Sequence, residues 1–199
     1  GVGLQHLLHR ELHRVVQLVA AEGFAPPSGP DAAWLETAIA TREPAHWQDV
    51  LGRLVEWLNV ATGERVVVLI DEYDAPLHAA WQQGFWDEAI AFYRNFLSSG
   101  LKDNPHLRKA VLTGILKVAK EGVFSGLNHL KTATILGDHL VDAFGFTEHE
   151  VGELAAATGA SHNLEAIQRW YNGYRFGDAR PATMYNPWSI INYLAEPGT

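Results

Sequence analysis

Val66 to Ile70 is an unbroken run of β-branched residues and leucine that ends in two carboxylates, Asp71 and Glu72. A run this short and this apolar has no helical period, and it reads as a parallel strand covered on both faces. Parallel strands are joined by long crossovers, usually helical. Phe85 to Leu101 supplies such a helix, with Trp86, Ile90, Tyr93, Phe96 and Leu97 at helical spacing. Leu107 to Ile115 then forms a second strand candidate, opening on Arg108 and Lys109 and turning apolar at Ala110. Strand, helix, strand makes a βαβ unit, which nearly always crosses over right-handedly. Thr132 to Leu136 is a weaker third strand. The expected fold class is α/β.

The flanking segments read as helices. Residues 4 to 22 carry Leu4, Leu7, Leu8, Leu12, Val15, Val16 and Val19 at helical spacing, before Gly23 and a proline-rich stretch from Pro26 to Pro30. Asp31 can cap a short helix through Ala40, and Trp47 to Ala61 should form one more, ending at Gly63. Beyond Gly137 the pattern is helical again. Thr147 and Glu150 have the spacing of a capping box, Asn163 can cap Leu164 to Tyr171, and Asn186-Pro187 places a cap before a proline at the first helical position.

Composition limits the function classes. The chain has 199 residues, 47% hydrophobic and 19% charged, and no run approaches the roughly 18 apolar residues of a membrane span. With no cysteine, neither a disulfide framework nor a thiolate metal site can form, which suits a reducing, cytoplasmic setting. The chain opens on Gly1 already in a helical pattern, and is expected to be a piece of a longer protein. A net charge of −8 argues against nucleic-acid binding by bulk electrostatics. Arg94 to Lys131 nonetheless holds seven basic residues and two acidic ones, a zone that suits a phosphate ligand or, equally, a solvated helix face.

In an open parallel sheet, ligands collect at the carboxyl ends of the strands. Asp71 there can hold magnesium through water, and Glu72 can orient or deprotonate an attacking water. The alternative is that any buried strand must leave the sheet through polar residues. Thr113, in Val111-Leu112-Thr113-Gly114, falls at the end of the next strand, where its hydroxyl can donate to a phosphate or to that water, or simply satisfy backbone. Lys117 and Lys120 follow and can neutralise charge in phosphoryl transfer, or serve as surface lysines. The phosphate cradle GxxxxGK[ST] has no counterpart, because no Gly-Lys dipeptide occurs in these 199 residues.

Six blocks taken together are more specific. Ile70-Asp71-Glu72-Tyr73-Asp74-Ala75-Pro76, Leu112-Thr113-Gly114-Ile115-Leu116-Lys117 and Gly122-Val123-Phe124-Ser125-Gly126-Leu127-Asn128 are followed by Phe144-Gly145-Phe146-Thr147-Glu148, Trp170-Tyr171-Asn172-Gly173-Tyr174 and Tyr185-Asn186-Pro187-Trp188-Ser189. In this order the chain resembles the bacterial predicted AAA-ATPase-like family over roughly residues 64 to 194. The resemblance implies a P-loop NTPase-type three-layer domain, here partial and covering 1–136, and a helical lid at 137–199. It implies ATP and Mg2+ as ligands, with Asp71 and Glu72 as the Walker B pair and Thr113 at the sensor position. Lys117 joins Glu72 and Thr113 as a catalytic candidate, and Lys120 and Asn128 join Asp71 as candidates for holding nucleotide. The family's phosphate loop lies near its members' N-termini, and many members append a restriction-endonuclease-like nuclease. Nucleic acid as a partner is expected only through such a domain.

Three further groupings carry alternatives. His6, His9 and His13 share one helix face at spacings a metal can use, but no carboxylate completes a motif. Asp71, Glu72 and Asp74 have the composition of a nuclease-type metal cluster, although no Glu-x-Lys accompanies them on a neighbouring strand. The aromatic residues of 170–174 and 185–188 can stack a base or, more simply, build the core of short helices. Core is the expectation.

Overall fold

A computed structural model describes residues 14, 17–18, 20–24, 28–40, 44–115, 124, 127, 130–160 and 164–195. The helix expected over 4–22 is represented only by its last residues. His6, His9 and His13, the cap at Asn163, and Lys117, Lys120 and Asn128 lie outside the described residues. The chain divides into two compact units, Gly1–His129 and Leu130–Thr199.

The first unit mixes helices with a parallel pair of strands, which makes it α/β. Its described elements run α1 (Pro30–Ala40), α2 (Pro44–Gln48), α3 (Val50–Thr62), β1 (Val66–Ile70), α4 (Ala75–Gln83), α5 (Trp86–Leu101) and β2 (Leu107–Leu112). The helix expected over Trp47 to Ala61 is instead two, separated at Asp49. Trp47 and Val50 on either side of that break are both buried against Leu35, with Phe92 and Phe96 of α5 packed alongside. Two short helices thus direct Trp47 and Val50 into one core. Gly52 of α3 lets that helix approach α5 closely, since a Cβ there would lie 2.6 Å from the Ser99 carbonyl oxygen. Leu77 of α4 and Leu97 of α5 are fully buried, each contributing about 1.5–3 kcal/mol.

β1 and β2 pair in parallel from Val67↔Lys109 to Ile70↔Leu112. Two expectations fail here. The second strand stops at Leu112 rather than running to Ile115, and Thr132–Leu136 forms no strand, so the parallel sheet has two strands among the described residues. Burial along β1 also alternates: Val68 is covered, whereas Val67 is half exposed and Leu69 is 74% exposed. One face of this apolar strand is therefore covered, not both.

The second unit contains α6 (Glu148–Ala157), α7 (Leu164–Tyr171), β3 (Asn172–Phe176), β4 (Ala182–Tyr185) and α8 (Pro187–Ala195). The capping box is present: Glu150 N–H donates to the Thr147 hydroxyl, and Thr147 N–H donates to the Glu150 carboxylate at 2.8 Å. Pro187 opens α8, with Ser189 N–H donating to Asn186 Oδ1 at 3.1 Å. The antiparallel β3–β4 hairpin, in a stretch expected to be helical, extends to Phe146 through a two-way backbone pair with Tyr185. The aromatic residues divide. Tyr185 is core, with Tyr171 and Tyr193 against it, but Trp170, Tyr174 and Trp188 face solvent, which corrects the expectation that the whole set is core.

Asp138 pins the hairpin loop. Its carboxylate accepts the backbone N–H groups of Asp178 and Arg180, each at 2.9 Å, and of Ala179 at 3.3 Å. These bonds, that from Arg180 foremost, hold the Asp138 pKa below its ordinary value. A depressed folded-state value means that the carboxylate stabilises above its unfolded pKa, about 3.9, and that this contribution vanishes as pH falls through the lower folded value. Asp138→Ala should therefore be less stable than wild type at pH 7. In pH-dependent thermal melts, the gap should close below about pH 4.

Candidate functional site

The carboxyl ends of β1 and β2 bring the predicted residues together. Ile70↔Leu112 is the last register pair, so Asp71 and Thr113 emerge side by side. Thr113 N–H donates to the Ile70 carbonyl at 2.9 Å, and Tyr73 N–H donates back to the Thr113 carbonyl at 2.9 Å. This exchange carries the pairing one step past the strands and fixes both chain exits.

The Thr113 hydroxyl donates to Asp71 Oδ1, which also accepts the Glu72 backbone N–H at 3.0 Å. No hydrogen bond reaches Asp71 Oδ2 among the described residues. Asp71, Glu72 and Thr113 are all exposed. Glu72 adopts φ +50°, the left-handed region that costs a non-glycine residue roughly 1–2 kcal/mol. The turn then closes through Ala75 N–H to the Glu72 carbonyl at 3.0 Å, and α4 begins.

Beneath this exposed rim lies a buried layer. Tyr73 is 8% and Asp74 5% exposed, and Tyr73 packs its ring on Phe124 at 5.4 Å between centroids. Gly114 sits against both residues. A Cβ at this position would fall 2.5 Å from Asp74 Oδ1 and 2.7 Å from Tyr73 Cε1. Only glycine permits that approach. Farther into the core, Tyr93 has its pKa pushed up to about 12, first by burial and then by the negative charge of Asp74. Neither the strand-end motif nor the family block assigns Gly114 a role of its own. Its packing role is a three-dimensional contact that no spacing rule exposes.

Arg108 and Lys109 stand at the opposite end of β2 from Thr113, about 13–17 Å away at the usual rise per residue. These two members of the basic zone therefore do not face the acidic strand ends. Among the described residues no three of His, Asp and Glu converge as metal ligands. Asp71, Glu72 and Asp74 accordingly do not form the three-carboxylate cluster, because Asp74 turns into the core while the other two face out. Magnesium needs less, one or two carboxylates with the remaining positions held by water and phosphate. Asp71 Oδ2 and Glu72 fit that donor chemistry. Among the described residues no helix is long and apolar enough to cross a membrane.

Comparison with known sequences gives two similarities. The sequence model of the AAA-ATPase_like family, described as "Predicted AAA-ATPase", matches residues 7–124, a range that includes Asp71, Glu72, Thr113 and Gly114. The blocks at 144–148, 170–174 and 185–189 lie beyond that range. An uncharacterized protein from the vnfD 5′ region of Azotobacter chroococcum mcd 1 is 36% identical over 143 residues, covering 70% of this chain and 27% of that relative. The chain spans about a quarter of the relative's length. No solved structure matches it.

Proposed function

The chain belongs to the predicted AAA-ATPase family, and on that premise we propose that its acidic strand ends are the magnesium-and-water half of an ATP-hydrolysing site. The observation that carries this reading is the junction of Asp71, Glu72 and Thr113 at the carboxyl ends of two register-matched parallel strands. Asp71 would hold Mg2+ through water, using the carboxylate oxygen turned away from Thr113. The ion, when bound, supplies charge neutralisation along the phosphates. Glu72 takes the proton of the attacking water, and its unfavourable φ fits a residue held for chemistry rather than stability. Lys117, Lys120 and Asn128 remain candidates for contacting nucleotide. The P-loop three-layer architecture, the lid role of 137–199 and nucleotide as the ligand belong to the same proposal, as does the cytoplasmic setting.

Thr113 acquires a sharper role than a phosphate sensor. A hydroxyl has one proton, and here it is given to Asp71. Thr113 is thus a positioning residue, fixing the rotamer of the magnesium carboxylate. In the full-length protein, Thr113→Val should raise the Mg2+ concentration needed for half-maximal ATP hydrolysis about 10–100-fold, as loss of a ligand's supporting hydrogen bond does elsewhere. Thr113→Ser, which keeps the donor, should restore it. Equal Mg2+ dependence in both variants contradicts the role.

The phosphate loop that hydrolysis needs does not lie within these 199 residues, which hold no Gly-Lys dipeptide, and a second reading applies if the full-length protein has none. That reading makes the chain a non-hydrolysing scaffold that binds partners on an ATPase-like fold. Equilibrium binding of ATP to the full-length protein separates the two, since the scaffold reading expects none.

A further inference from the structure

The corner between α4 and α5 holds a feature that phosphate chemistry does not use. Trp81, at the end of α4, is 69% exposed, and its ring meets that of Trp86 edge-on at 5.6 Å and 89°. Two tryptophans meeting at an open corner form an apolar patch, which is more informative than a single exposed ring. The pair lines an open cleft of about 390 Å³ together with Gly84, Phe85 and two carboxylates, Asp87 and Glu88. No ion pair engages either carboxylate among the described residues, and both are exposed.

The corner is rigid. Gly84 adopts φ +78° and donates its N–H to the Trp81 carbonyl, while Phe85 N–H reaches the Ala80 carbonyl at 3.1 Å. These two bonds form a Schellman motif, which fixes where the chain leaves α4 and where α5 begins. The backbone of the corner is therefore set before anything binds, so a ligand has only side chains to order.

The same chain shows what complements such a surface. At α1, Arg53 lies over the Trp34 ring at 4.6 Å to the centroid and pairs with Asp31 at 3.2 Å. Tryptophan face, carboxylate and guanidinium form one unit there. The α4–α5 corner has the first two parts, doubled, and the described residues place no cation over either ring. We propose that this corner is a docking site for an arginine side chain of a protein partner, with the guanidinium against the tryptophans and its charge answered by Asp87 and Glu88. Arginine suits the site because its planar guanidinium stacks on an indole face while donating to carboxylates at its edge. The openness of the cleft admits a side chain carried on a peptide. Asp87 and Glu88 also lie in the first turn of α5, where they suit the helix dipole, but that role explains neither tryptophan.

The test is calorimetric titration of the full-length protein with a short acetylated peptide carrying two arginines, beside matched peptides with lysine or citrulline. Binding should weaken in the order arginine, lysine, citrulline. Trp81→Leu, which keeps apolar area but removes the π face, should weaken arginine-peptide binding about five- to tenfold. Asp87→Asn combined with Glu88→Gln should weaken it at least as much. Trp81 is exposed, so circular dichroism should show the folded helix content unchanged. Arginine-peptide affinity indifferent to Trp81→Leu overturns the proposal. So does tetramethylammonium binding at this corner with no response to the arginine peptide, which would make it a small-molecule site.

Discussion

Glu72→Gln in the full-length protein should retain ATP binding and lose about 10²–10⁴-fold in turnover, the range spanned by a positioned general base. Glutamine keeps the size and hydrogen-bonding reach of glutamate but cannot accept the proton of an attacking water. Because Glu72 is exposed and its backbone sits at φ +50°, the substitution leaves packing and strain as they were. Glu72→Gly provides the companion measurement. Glycine tolerates the left-handed region, so this variant should be more stable by up to about 1 kcal/mol once glycine's extra chain entropy is subtracted, while it too loses turnover. Stability and activity moving in opposite directions is the signature of a residue kept for chemistry. Undiminished hydrolysis by Glu72→Gln would remove Glu72 from the role.

Gly114→Ala should damage the site from behind. Its Cβ would enter the space of Asp74 Oδ1 and of two Tyr73 ring atoms, at 2.5, 2.7 and 2.9 Å. Tyr73 and Asp74 are buried and a tyrosine ring cannot yield as a flexible tip does, so the strand end must move instead. Overpacking of this kind costs about 1–3 kcal/mol, measurable by denaturant unfolding. Turnover should fall as well, because Thr113 is the adjoining residue and carries both the hydroxyl bonded to Asp71 and the carbonyl bonded to Tyr73. Gly152→Ala is the control. It lies within α6 with nothing inside 4 Å of the added carbon, and should be neutral or stabilising by up to about 1 kcal/mol.

The strand ends were legible in the sequence because local rules fix them. A β-branched run, two carboxylates and a threonine one strand later determined the positions of Asp71, Glu72 and Thr113, and the parallel register brought them together. The caps at Thr147 and Asn186 were legible for the same reason, since each is satisfied within three residues. What could not be read depends on distant contacts. The apolar run Val66 to Ile70 signals a strand that tolerates burial on both faces, yet its sequence does not say how many faces are covered, and Leu69 is open. The hairpin at 172–185 begins on Asn-Gly and carries no alternating pattern, and its loop is held by Asp138, some forty residues earlier. The packing of Gly114 against Asp74, and the bond that turns the Thr113 hydroxyl toward Asp71, likewise needed coordinates.

We propose that Asp71 and Glu72 together serve magnesium-dependent ATP hydrolysis. Phosphate release from ATP by the full-length protein, followed as Mg2+ is titrated in wild type and in Asp71→Asn, tests it most directly. Hydrolysis should require Mg2+ in wild type, and in Asp71→Asn the Mg2+ requirement should shift at least tenfold higher or activity should be lost altogether. Hydrolysis with the same Mg2+ dependence in both proteins, or no hydrolysis by wild type at any Mg2+ concentration, would contradict the proposal.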